Sequence, residues 1–105
     1  MGPSLRWGDV RGGWVYIMTN KPFGTLCIGV TSDLAARVWQ HRNGTGSSFC
    51  KKHGLMRLVY AEEHPTIVDA IAREKAMKAW KRNWELRQIM DVNSAWDDLF
   101  DRINF

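Results

Sequence analysis

The chain has 105 residues, 45% of them apolar and 25% charged, with a formal net charge of +4. This suits one soluble domain with a single modest core, and no apolar run approaches the roughly 20 residues that a membrane-crossing helix needs. The positive charge is compatible with a polyanionic partner without demanding one. Two cysteines are too few for a disulfide-stapled secreted scaffold, so Cys27 and Cys50 read as reduced thiols of a cytoplasmic protein.

Residues 1–12 show no periodicity and no signal-peptide apolar core; they read as a flexible tail, with Trp7 docking on the body. Residues 13–105 read as a single domain. A first strand runs from Gly13 to Thr19, apolar on both sides and therefore expected to be covered on both faces. Asn20 to Gly24 form a turn cluster, and Thr25 to Val30 return as a second strand. A register pairing Tyr16 with Cys27 would set those two side chains together on one face.

Thr31, Ser32 and Asp33 offer an N-cap for a helix beginning near Leu34. Within it, Leu34, Arg37, Val38 and His41 share one face, which places a cation and an imidazole on an otherwise apolar stripe. Asn43 to Ser48 read as a surface loop, because they follow a helix and lack the lysine ending of a phosphate-binding loop. Phe49 to Gly54 extend that loop with a basic cluster. Leu55 to Ala61 read as a third strand, closed by Glu62, Glu63, His64 and Pro65.

A second long helix runs from Thr66 to about Arg82, with a stripe of Ile67, Ala70, Ile71, Glu74 and Lys78 that turns from apolar to charged halfway along. A change of direction is expected at Asn83–Glu85, followed by a helix to Val92 with Leu86, Ile89 and Met90 inward. Trp96, Leu99 and Phe100 are expected to pack back onto the body. The class is α+β, a small three-stranded antiparallel sheet flanked by helices in the order β-β-α-β-α-α.

Tyr16, Arg37, His41 and Glu74 are polar groups at positions where apolar ones are expected. The plain readings are an internal Arg37–Glu74 ion pair, or a Glu74–Lys78 pair one helical turn apart worth about 0.3–0.5 kcal/mol, with His41 favoured near a helix end by the dipole. The chemical reading is a parts list for phosphodiester hydrolysis. A carboxylate can hold a hard cation, a guanidinium can clamp phosphate oxygens, and a phenol or imidazole can move a proton.

Val15-Tyr16-Ile17, Cys27-Ile28-Gly29, Arg37, His41, Glu74 and Asn93, in that order and spacing, resemble the motif set of the GIY-YIG nuclease superfamily. The likeness is greatest to its short stand-alone bacterial members and covers about Gly13 to Phe100. It implies a metal-dependent endonuclease or nicking enzyme acting on DNA, with Mg2+ or Mn2+ as cofactor. Branched and damaged DNA are candidate substrates between which the sequence does not choose, the lack of a long apolar run speaks against a membrane partner, and oligomeric state has no signature here. By the same resemblance Tyr16 is the proton-transfer group, and Gly29 is where close backbone approach excludes a side chain. Arg37 contacts the scissile phosphate, His41 lies in the site, Glu74 binds the metal, and Asn93 supports the site.

The second-motif tyrosine is replaced by Cys27, whose thiol is shorter and a weaker hydrogen-bond partner. The first-motif glycine is replaced by Trp14. The alternative function is therefore a catalytically weakened domain that serves as a nucleic-acid or protein binding module, and a third is hydrolysis of a small phosphodiester. Arg42, Lys51, Lys52, Lys75, Lys78, Lys81 and Arg82 flank the candidate site as a phosphate-tracking rim or as solvated surface. Most of the six tryptophans read as core or docking residues rather than as base-stacking platforms.

Overall fold

A computed structural model describes residues 12–44 and 48–103. The expected tail, Trp7 included, lies outside the described residues except for Gly12. Three strands, β1 (Gly13–Thr19), β2 (Leu26–Thr31) and β3 (Arg57–His64), form one antiparallel sheet in the order β2-β1-β3. The helices are α1 (Leu34–Arg42), α2 (Ser48–His53), α3 (Ile67–Lys78), α4 (Arg82–Val92) and α5 (Phe100–Ile103). The α+β class and the small antiparallel sheet are as expected, with α2 and α5 added.

β1 is central, and its continuous apolar run follows from that position: Val15, Ile17 and Met18 have no exposed surface. On one face Val15 and Ile17 meet Ala70 and Met77 of α3 and Ile89 of α4. On the other, Tyr16 and Met18 meet Leu34 and Val38 of α1, Cys50 of α2, and Leu55. Tyr16 is paired with Gly29 and Met18 with Cys27, so the Tyr16–Cys27 register is corrected by two residues. A two-residue shift preserves the face of each side chain, and Cys27 stays on the Tyr16 side of the sheet.

Local chemistry sets most boundaries. The Asp33 carboxylate caps α1 by accepting from the Ala36 amide at 3.1 Å, and Thr66 caps α3 through the Asp69 amide at 3.1 Å. Three boundaries differ from expectation. Phe49 to His53 are helical, not loop: six residues are too few to display a period, and the helix ends at Gly54, whose φ of 65° favours glycine. β3 runs on through Glu62 and His64, because Glu62 accepts hydrogen bonds from Tyr60 and Arg73 and pairs with His64 at 2.6 Å. The turn between α3 and α4 falls at Ala79–Lys81, and Asn83–Glu85 lie inside the first turns of α4. No glycine or proline marks that corner in the sequence. Met90 sits at the rim, 37% exposed, and only Ile89 of the expected trio is fully buried.

β3 carries a bulge. Ile17 pairs with Tyr60 and Met18 with Leu58, so Val59 has no partner on β1. The extra residue turns Val59 and Tyr60 toward the α3–α4 side, while Leu58 and Ala61 face the other. After α4 the chain crosses beside β3. Trp96 is buried and held at φ 57°, the Leu99 amide donates to the Leu58 carbonyl at 2.8 Å, and the Leu58 amide donates to Asp98 at 3.2 Å.

Candidate functional site

Tyr16 projects from the central strand into the layer between sheet and α1, and is 4% exposed. One helical turn separates Arg37 from His41, so α1 presents both toward that ring. His41, also 4% exposed, approaches with Nε2 3.0 Å from Tyr16 Oη. The rings are tilted by 58° with centroids 5.7 Å apart. Gly29 lies beneath: a Cβ there would overlap the phenol oxygen, so this position is glycine for lack of space.

Burial dominates the electrostatics of the pair. It pushes the Tyr16 phenol well above its ordinary value, against the Arg37 guanidinium and with help from Cys27, Cys50 and Glu74. Burial and then the Arg37 charge hold His41 below the usual imidazole value. Both groups are thus neutral near pH 7. His41 Nδ1 is buried and has no hydrogen-bond partner among the described residues.

Arg37 is half-buried and donates to Gln40 at 3.3 Å. Glu74 does not bridge to Arg37; its ion pair is with Lys78 at 3.0 Å, with the Glu74 side chain 14% exposed. Cys27 Sγ accepts from Cys50 Sγ at 2.8 Å. Burial, followed by this hydrogen bond, pushes the Cys27 thiol up to about 12. Tyr16, Cys27, Gly29, Arg37, His41 and Glu74 therefore form one neighbourhood. Cys50, which no sequence signal ties to Cys27, belongs to it as well.

Asn93 lies elsewhere. It caps the C-terminal end of α4, and its amide donates to the Val59 carbonyl at 3.1 Å and to the Asp97 carbonyl at 2.9 Å. It supports the bulged strand β3, whose partner β1 carries Tyr16. Among the basic residues, Lys51, Lys52 and Lys75 are exposed. Arg42 is engaged by Asp98 and by the Phe100 ring, 4.7 Å from its guanidinium carbon. Arg82 donates to the carbonyls of Phe23 and Gly24. Two tryptophans depart from the core reading: Trp39 and Trp84 are 56% and 60% exposed.

No group of three or more His, Cys, Asp or Glu able to share a metal occurs among the described residues. The donor set therefore fits only a hard cation held by the single carboxylate of Glu74 and otherwise hydrated, in competition with the Lys78 ammonium. No helix among the described residues is long and apolar enough to cross a membrane.

The site is thus a buried tyrosine facing glycine on the neighbouring strand of a three-stranded antiparallel sheet, with an arginine and a histidine one turn apart on the following helix. The sequence model of the GIY-YIG catalytic domain matches residues 12–88. The chain belongs to the GIY-YIG family, a family of nucleases. It is 35% identical over 78 residues to a UPF0213 protein of Staphylococcus epidermidis, covering 74% of this chain and 94% of the relative. Over the same shares it is 32% identical to a UPF0213 protein of Staphylococcus saprophyticus and 35% identical to one of Staphylococcus aureus. No solved structure matches the chain.

Proposed function

We propose that this chain is an endonuclease or nicking enzyme that hydrolyses DNA phosphodiester bonds. The observation that carries the reading is the buried hydrogen bond between Tyr16 and His41, 3.0 Å long and beside Arg37. A phenol pushed up by burial is no base by itself. It becomes one if it gives up its own proton as it takes another. His41, neutral and with Nε2 on the phenol oxygen, receives the Tyr16 proton while Tyr16 Oη takes one from the attacking water. Arg37 offers two parallel N–H donors to the phosphate oxygens and fixes the phosphorus against that water, whose oxygen bonds to phosphorus as the P–O bond to the leaving sugar oxygen breaks and that oxygen takes a proton from solvent. Glu74 would hold Mg2+ or Mn2+. A divalent cation there would stabilise charge on the phosphate oxygens as a Lewis acid.

One observation favours a second reading. Cys27 stands where the second-motif tyrosine is expected, and its sulfur is turned to Cys50. Without a hydroxyl at that point the domain would bind nucleic acid and cut it slowly, by on the order of 10²–10³ in rate for one missing positioned donor. A nicking assay on supercoiled and branched DNA with Mg2+ or Mn2+ separates the readings. Cleavage by the native chain that disappears in Glu74→Ala and falls by about 10²–10⁴ in Tyr16→Phe supports the enzyme. DNA binding without cleavage by the native chain supports the binding module, and cleavage surviving in both variants sinks the proposed chemistry.

A further inference from the structure

The chemistry above leaves two nucleophilic side chains unused. Cys27 on β2 is half-buried, Cys50 on α2 is 2% exposed, and their sulfur atoms lie 2.8 Å apart although 23 positions separate them in the chain. A disulfide is about 2.0 Å long, so a movement of about 0.8 Å joins them. Both thiols act on the Tyr16 phenol, and both belong to the apolar cluster around it. Any bond between them therefore forms within the candidate site.

We propose that Cys27 and Cys50 form an oxidisable dithiol, which hydrogen peroxide converts to a disulfide that fastens α2 to β2 beside Tyr16. Cys27 is the less buried of the two residues and reacts first. Its sulfur attacks a peroxide oxygen, an S–O bond forms as the O–O bond breaks, and the departing hydroxide leaves as water with the thiol proton. Cys50 then attacks the Cys27 sulfur; the S–S bond forms, the S–O bond breaks, and a second water carries off the Cys50 proton. Two thiols lose two electrons, and one peroxide becomes two waters. A thiol pushed up to about 12 is rarely a thiolate at neutral pH. The reaction is accordingly slow beside that of an activated cysteine and quickens about tenfold per pH unit.

The consequence for cleavage rests on the nuclease reading. Tyr16 is 4% exposed, and a phosphodiester reaches its hydroxyl only where neighbouring segments yield. A covalent tie between the strand and the helix flanking it resists that movement, so oxidation lowers cleavage.

The test uses the full chain with excess hydrogen peroxide at pH 7 to 9, alkylation of remaining thiols, and peptide mapping by mass spectrometry without reductant. The expected product is a Cys27–Cys50 linked peptide within one chain that dithiothreitol separates. In Cys50→Ser the same treatment should leave Cys27 as sulfinic acid, for want of a resolving thiol. Sulfinic acid at Cys27 in the native chain, a link between two chains, or thiols unchanged at pH 9 would each overturn the proposal. DNA nicking measured alongside should fall at least about tenfold on oxidation and return with dithiothreitol. A linked chain that nicks as fast as the reduced one would overturn the regulatory part. An absence of nicking in both states would count against the nuclease reading, while the peptide map still decides the dithiol.

Discussion

Tyr16 and Gly29 are direct partners across β1 and β2, and the tyrosine ring fills the volume that a side chain at position 29 would need. Even one methyl group at 29 must displace the phenol from His41. Gly29→Ala is expected to lower stability by about 1–3 kcal/mol, the usual cost of overpacking a core. It should also reduce cleavage nearly as far as Tyr16→Phe. Urea denaturation and the nicking assay read the two effects, and a variant of native stability and activity would refute the argument.

His41 makes stability depend on pH with a definite sign. Its folded value lies below the ordinary 6.5, so the unfolded chain binds the proton more readily. Stability is complete above pH 6.5 and is lost as pH falls through the folded value. His41→Gln should therefore flatten the melting temperature between pH 7.5 and 5 relative to the native chain. An unchanged slope would mean that His41 is not held neutral by its surroundings.

Asn93 satisfies the carbonyl of the residue that β1 leaves unpaired. Asn93→Leu strands that buried oxygen and should cost about 1–3 kcal/mol, with the loss appearing in urea midpoints. Because the hydrogen bonds of Asn93 go to Val59 and Asp97, turnover per folded molecule should stay near that of the native chain. A selective collapse of turnover would place Asn93 in the chemistry instead.

Cys27→Tyr is the direct trial of the second-motif departure, but Cys50 stands 2.8 Å from the sulfur it would replace. The single substitution is expected to destabilise by about 1–3 kcal/mol, and pairing it with Cys50→Ala should recover part of that loss. If the missing hydroxyl limits the enzyme, the paired variant should cleave on the order of 10²–10³ faster than the native chain. Equal rates would show that Tyr16 works without a second hydroxyl.

The elements legible in the sequence are those with local causes. Continuous apolar runs on either side of the Asn20–Gly24 turn cluster marked β1 and β2, Asp33 and Thr66 marked helix starts, and the spacing of Arg37 and His41 put both on one face of α1. Long-range contacts were not legible. The bulge at Val59 is defined by Asn93, 34 positions away. Cys50 reaches Cys27 from a helix too short to show periodicity. Glu62 stays in a strand because Arg73, 11 positions on, neutralises it. Of the candidate site, residue types, their order and the Glu74–Lys78 pair one turn apart were readable, whereas Arg42 engaged by Asp98 and Asn93 bonded to Val59 are set by contacts distant in the chain.

The segment that crosses beside β3 lies beyond residues 12–88, yet it has a task of its own. β3 is an edge strand, and an uncovered edge is a template on which another chain can add a strand. By taking both the amide and the carbonyl of Leu58, Asp98 and Leu99 occupy hydrogen-bonding groups that an incoming strand would use. Shortening the chain before Asp98 would thus do more than loosen the core: it would leave a sticky border, and the damage would show first as aggregation during folding.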